Sequence, residues 1–149
     1  MPRVLKWTAL AAVLFFTAAA ADLGLRSRSA LTEARRQELW RDNPFLKKEY
    51  YDGQLEKKLN LLKAETAADK LKPEEAEEKA SLLRTERDFY QSESSAKLAF
   101  IWYRTAAEEF PSPLNPWAAR AAARLPAARE AWRAELAAKG MNADPRLIR

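Results

Sequence analysis

The sequence predicts an all-α protein: an N-terminal apolar signal or anchor helix, then a long antiparallel helical hairpin with a short C-terminal helical pair. Three observations carry that expectation. The 149 residues include only three glycines and no cysteine, which removes a disulfide scaffold and leaves little material for the tight turns of a sandwich or barrel. Apolar residues recur at helical spacing through the body. Prolines fall between the periodic segments, where a helix accepts them in its first turn. At 48% hydrophobic and 32% charged, the chain has the composition of neither a disordered tail nor a polytopic membrane protein.

Residues 1–21 form the first segment. Arg3 and Lys6 precede the uncharged stretch WTALAAVLFFTAAAA, Trp7 to Ala21, and the first acidic residue is Asp22. A basic, then apolar, then small-residue order matches a secretory signal, with Ala19 and Ala21, or Ala18 and Ala20, filling the small positions before a cut. As a helix the stretch reaches about 22 Å, short of the ~30 Å hydrocarbon core. Val4 and Leu5 before it and Leu23 to Leu25 after it lengthen the span if Lys6 and Asp22 reach the interfaces. The segment therefore reads as a cleaved signal peptide or a single transmembrane anchor, with the membrane met through residues 1–25. The expected location is the cell envelope, with the body anchored, periplasmic or secreted. Arg26, Arg28, Arg35, Arg36 and Arg41 follow the segment, so the positive-inside rule also admits an anchor whose body faces the cytoplasm.

Residues 22–43 form a connecting helix, in which SALTEARRQELWRD places Leu31, Ala34, Leu39 and Trp40 among strong helix formers. Asn43-Pro44 ends it and opens the next, with Asn43 as cap and Pro44 at the first helical position. The hairpin occupies 44–110. Leu55, Leu59 and Leu62 repeat at i, i+4 and i+7, with Tyr51 before them and Leu71 beyond. Gly53 is a soft point in that helix. Lys72-Pro73 separates the second arm, whose Glu74, Glu75, Glu77 and Glu78 meet the positive end of the helix dipole. This arm is expected from 73 to about 109, fraying at QSESS, Gln91 to Ser95. Two amphipathic helices joined by so short a break imply antiparallel packing.

LAFIWY, Leu98 to Tyr103, is apolar on every face and must be covered on more than one side. Either the C-terminal segment folds back over it as a small core, or a partner covers it. The Pro-bounded C-terminal pair, 111–140, is expected as helices 116–124 and 126–139, with Asn115-Pro116 opening the first and Gly140 stopping the second. An extended tail, 141–149, follows. For partner binding the apolar anchors are Phe100, Trp102, Tyr103, Trp117 and Trp132, with Arg120 and Arg124 as charge contacts.

The chemistry is narrowed by what is missing. Without histidine or cysteine, zinc sites, histidine-held haem, thiolate clusters and Ser-His or Cys-His nucleophiles are excluded for this chain alone. The glutamates after Pro73 lack the alternating ligands and turn glycine of a calcium loop. Ser94, Ser95 and Lys97 lack a nearby glycine to shape an oxyanion hole. No glycine-rich phosphate loop and no nucleic-acid module is present. Without residues 1–21, which hold Arg3 and Lys6, the body keeps 24 of the 26 basic residues against 21 acidic ones, a nearly balanced surface. The expectation is a non-catalytic accessory or scaffold subunit, without cofactor, metal, nucleic acid or evident small-molecule ligand, that binds protein partners in an envelope or membrane complex. The alternative is a free periplasmic or secreted helical binding protein, chaperone-like in its action.

Overall fold

The computed structural model describes the backbone of residues 2–110 and 115–141, and within these all side chains except those of residues 2–6 and 9. The extended tail expected beyond Met141 lies outside the described residues. Everything regular is helical: α1 Pro2–Asp42, α2 Pro44–Ala67, α3 Pro73–Ser92, α4 Ser95–Arg104 with a π-helical continuation Thr105–Glu109, and α5 Pro116–Ala138. No strand occurs among the described residues.

The expected connecting helix is the second half of one 41-residue helix, α1. Gly24 alone does not interrupt it, because helix formers flank it and an Asp22–Arg26 ion pair of 2.8 Å bridges that turn. The helix stops where the sequence says it must, since Pro44 pushes Asn43 out of helical geometry (φ −137°, ψ 85°). Pro44 then occupies the first turn of α2, while Asn43 makes no side-chain capping bond. Asn115 does cap α5: its Oδ1 accepts from the backbone N–H groups of Trp117 at 3.1 Å and Ala118 at 3.3 Å.

Two helices end in the same hydrogen-bond pattern. After α2, Asp69 takes a left-handed φ of 54°, and the N–H groups of Asp69 and Lys70 donate to the carbonyls of Thr66 and Glu65. After α5, Gly140 (φ 69°) and Met141 donate likewise to Ala137 and Leu136. Both are Schellman stops. Gly140 was legible as one, and Asp69 was not.

The second arm is not a single helix to 109. Glu93 is extended (φ −63°, ψ 140°) and separates α3 from α4. Serines compete for backbone partners here, as Ser92 Oγ does in donating to the Phe89 carbonyl at 2.8 Å. The C-terminal pair, conversely, is one helix of 23 residues with Pro126 in its interior. Pro126 and Ala122, the residue whose carbonyl loses its partner, are both exposed. Ala121, Leu125 and Ala128 on the opposite face are buried, so packing holds the helix through the proline and water can serve the orphan carbonyl.

The chain divides into two compact units, Met1–Glu38 with Ala96–Arg149, and Leu39–Ser95. In the first, Ala30, Leu31 and Ala34 of α1, Phe100, Tyr103 and Ala106 of α4 and its continuation, and Ala121, Leu125 and Ala128 of α5 form one core. Alanine at the contacts lets the three helices approach closely, and the aromatic pair supplies the volume. In the second unit α2 packs on α3, and the partners fall in inverse order: Lys47 with Glu93, Asp52 with Arg87, Lys58 with Glu86.

Candidate functional site

Three surfaces carry the expected functional residues or features of comparable interest. The first is the N-terminal half of α1. Trp7 is 70% exposed, Phe15 69% and Phe16 70%, with Leu10, Val13 and Leu14 similarly open. Among the described side chains of α1 the first buried position is Gly24, followed at helical spacing by Ser27, Ala30, Leu31 and Ala34. One unbroken helix therefore has two characters. From Trp7 to Ala21 it is uncharged and its described side chains are exposed, and from Gly24 onward one face of small residues is packed. It is the one helix among the described residues long and apolar enough to cross a membrane, a property that signal sequences share. The uncharged stretch Trp7 to Ala21 reaches about 22 Å and the whole interval from Pro2 to Leu23 about 33 Å, so a bilayer core of ~30 Å is matched with Lys6 and Asp22 at the interfaces.

The second is the core of the first unit, where most of the sequence-predicted partner residues converge. Phe100 and Tyr103 are 1% and 0% exposed, so in this packing they are interior residues beyond a partner's reach. The C-terminal segment does cover LAFIWY. Trp132 stacks on Phe100 with centroids 5.3 Å apart at 30°, while the Arg104 and Arg129 guanidinium carbons lie 5.5 and 5.9 Å from the Phe100 ring centroid. Trp102, Trp117 and Trp132 are half-buried at the rim of this core, and Arg120 and Arg124 are exposed on α5. The indole of Trp117 lies over Gly24, where an added methyl group would stand 3.3 Å from Cζ3. Gly24 is thus what lets α5 close on α1 at this point.

Two hydrogen bonds lock this unit. Ser27, fully buried, donates from Oγ to the Ala106 carbonyl at 3.0 Å. Tyr103 donates its phenol hydrogen to Glu38 Oε2 at 2.7 Å. Burial first, and the Glu38 carboxylate second, push the Tyr103 phenol up to about 12, so it stays neutral and a donor.

The third surface was missed by the sequence reading. In the second unit Trp40, Tyr50, Tyr51, Tyr90 and Phe89 form a continuous aromatic chain. Trp40 contacts both Tyr50 (5.1 Å) and Tyr51 (5.6 Å), Tyr51 stacks on Tyr90 (5.6 Å, 7°), and Phe89 meets Tyr90 edge-on. Beside it Asp52 accepts from Lys48 (2.6 Å), Arg87 (2.7 Å) and Gln91 (3.0 Å). The Lys48 ammonium above all, with Arg87 and Gln91, holds its carboxyl below the usual carboxylate range. Further along, Leu59, Leu62, Ala76 and Ala80 floor a groove of about 530 Å³ edged by Lys63, Glu77 and Arg84. The aromatic spacing, Trp40, Tyr51 and Tyr90, is a signal visible only once the helices are paired.

No group of three or more acidic side chains is placed to hold a metal ion among the described residues. No family model matches the chain, and no curated protein or solved structure shows significant similarity to it.

Proposed function

We propose that this protein is a membrane-tethered helical scaffold or accessory subunit, held in the bilayer by the first half of α1 and acting by binding protein partners through its helical body. The observation that carries the reading is the change of character along α1. A helix that exposes Phe15 and Phe16 on one stretch and buries Ala34 completely on the next is suited to two solvents, lipid and protein interior. The body supplies the binding surface. α2 and α3, as an antiparallel hairpin, leave Leu61, Leu82 and Phe89 exposed, and α5 presents Arg120 and Arg124 with Trp117 and Trp132, beside Trp102 of α4, at the rim of the core. Half-buried tryptophans and tyrosines flanked by arginine are the residue types that dominate protein interfaces.

One observation favours the second reading, a free exported binding protein. Among the described residues the buried positions of the first unit begin at Gly24, and its hydrophobic cluster at Ala30, so a chain cut after Ala21 keeps that core whole.

Intact-mass analysis of the native protein after alkaline carbonate extraction of membranes separates the two. A 17.0 kDa chain retained in the membrane pellet supports the tether. A soluble chain beginning at Asp22 overturns it in favour of the exported form.

A further inference from the structure

We infer that Trp117 is a second membrane-interface anchor, so that the bilayer covers the Gly24 end of the first unit and fixes the depth of α1 at Asp22–Gly24; this rests on the tethered reading above. Aromatic side chains concentrate at both boundaries of a spanning segment, where one end of the ring meets hydrocarbon and the other meets water. Trp7 is the only tryptophan within α1's apolar stretch, close to its start, and nothing in that stretch supplies a matching indole at the other end. The fold does. Trp117, ninety-three positions beyond Gly24 in the chain, sits directly over it.

The spacing agrees with a bilayer. From Trp7 to Gly24 the helix rises about 26 Å, close to the hydrocarbon thickness that two aromatic girdles enclose. Charges mark both ends of this interval. Arg3 and Lys6 precede Trp7 in sequence, and Asp22 pairs with Arg26 at the far end, with Arg28 exposed beyond. The surface around Trp117 is also suited to a headgroup boundary. Leu25 is 62% exposed, Pro116 is exposed, the first turn of α5 carries no charge, and the first charged residue after Trp117 is the exposed Arg120, a cation placed to meet lipid phosphate. Gly24 lets the indole seat closely on α1, since an added methyl group would stand 3.3 Å from its Cζ3 and the ring would have to give way slightly.

The test uses the full chain in vesicles of phosphatidylcholine and phosphatidylglycerol carrying a nitroxide either near the headgroup or near the acyl terminus. A Trp7→Phe background removes the other interfacial indole. Its fluorescence is expected to be quenched by the headgroup-proximal label more than by the deep one, and adding Trp117→Phe should remove at least about half of that quenching. Because the chain has no cysteine, Ala119→Cys and Ala134→Cys, both at exposed alanines, take a spin label without touching the core and give a second measurement if Trp117→Phe disturbs packing. The label at 119 should show the oxygen accessibility of the interface, and the label at 134 that of bulk water. If the chain floats with the vesicles but neither Trp117 nor the label at 119 senses lipid, the inference is overturned while the tether stands. If the chain does not float, the tether itself fails and this inference with it.

Discussion

Ser27→Ala tests whether the second half of α1 is a core helix. The hydroxyl is fully buried and donates across 3.0 Å to the carbonyl of Ala106, itself completely buried. That carbonyl lies in the π-helical turn Thr105–Glu109, whose pattern would pair it with the N–H of residue 111. Residue 111 is proline and has none to offer, and Ser27 donates to that carbonyl. Removing it leaves a buried acceptor short of a partner, at a cost of about 1–3 kcal/mol, which moves the unfolding midpoint of a unit this size by several degrees. Thr32→Ala is the control: its hydroxyl bonds the Arg28 carbonyl at 2.9 Å on an exposed face of the same helix, and its loss should stay within about 0.5 kcal/mol. Urea unfolding in detergent micelles, followed by far-UV circular dichroism, measures both. Equal destabilisation by the two substitutions refutes the reasoning, because it would mean that position 27 is no more committed to the interior than position 32.

Gly53→Ala should stabilise the second unit by about 0.5–1 kcal/mol, since Gly53 lies inside α2 and a methyl group there meets nothing within 4 Å; amide exchange along α2 reads the gain. Pro126→Ala should stabilise α5 by up to about 3 kcal/mol by restoring the bond to the Ala122 carbonyl, with slower exchange of the α5 amides flanking position 126, and a protected new amide at 126 itself, as the readout. The folded chain holds the Tyr103 proton to about 12 against an ordinary 10.0. Its contribution to stability is therefore full below pH 10 and is lost as pH rises through 12, and Tyr103→Phe should flatten that alkaline decline in parallel thermal melts.

The all-helical class and the apolar start were legible because both rest on local properties: helix propensity, proline placement and an uncharged run. That LAFIWY needs a cover was legible for the same reason, since a turn apolar on every face has to be enclosed, but whether the C-terminal segment or a partner supplies it was not. Boundaries that depend on tertiary packing were not. Pro126 looks like a break until Ala121, Leu125 and Ala128 are seen buried on the opposite face. The continuity of α1 was not legible, because residues 1–21 read as a separate signal or anchor segment, whereas Gly24 lies inside the helix and seats Trp117. Phe100 and Tyr103 have the composition of interface anchors, but sequence cannot distinguish an aromatic covered by its own chain from one awaiting a partner. The Trp40–Tyr51–Tyr90 chain joins positions fifty residues apart in the sequence, so no periodicity within one helix announces it.

A paired substitution in α1 gives the most direct test of its two characters. Phe16→Arg puts a charge near the middle of the span, a penalty of roughly 3 kcal/mol or more than a hundredfold in partition, while Ala34→Arg puts one into a position with 0% exposure in the core. Vesicle flotation and cooperative unfolding are then measured on both chains. Phe16→Arg should leave the vesicle fraction and unfold as sharply as the original chain, whereas Ala34→Arg should still float but lose its cooperative transition. The opposite pattern, with Phe16→Arg unfolding the body or Ala34→Arg tolerated in it, contradicts the division of α1 between lipid and protein interior.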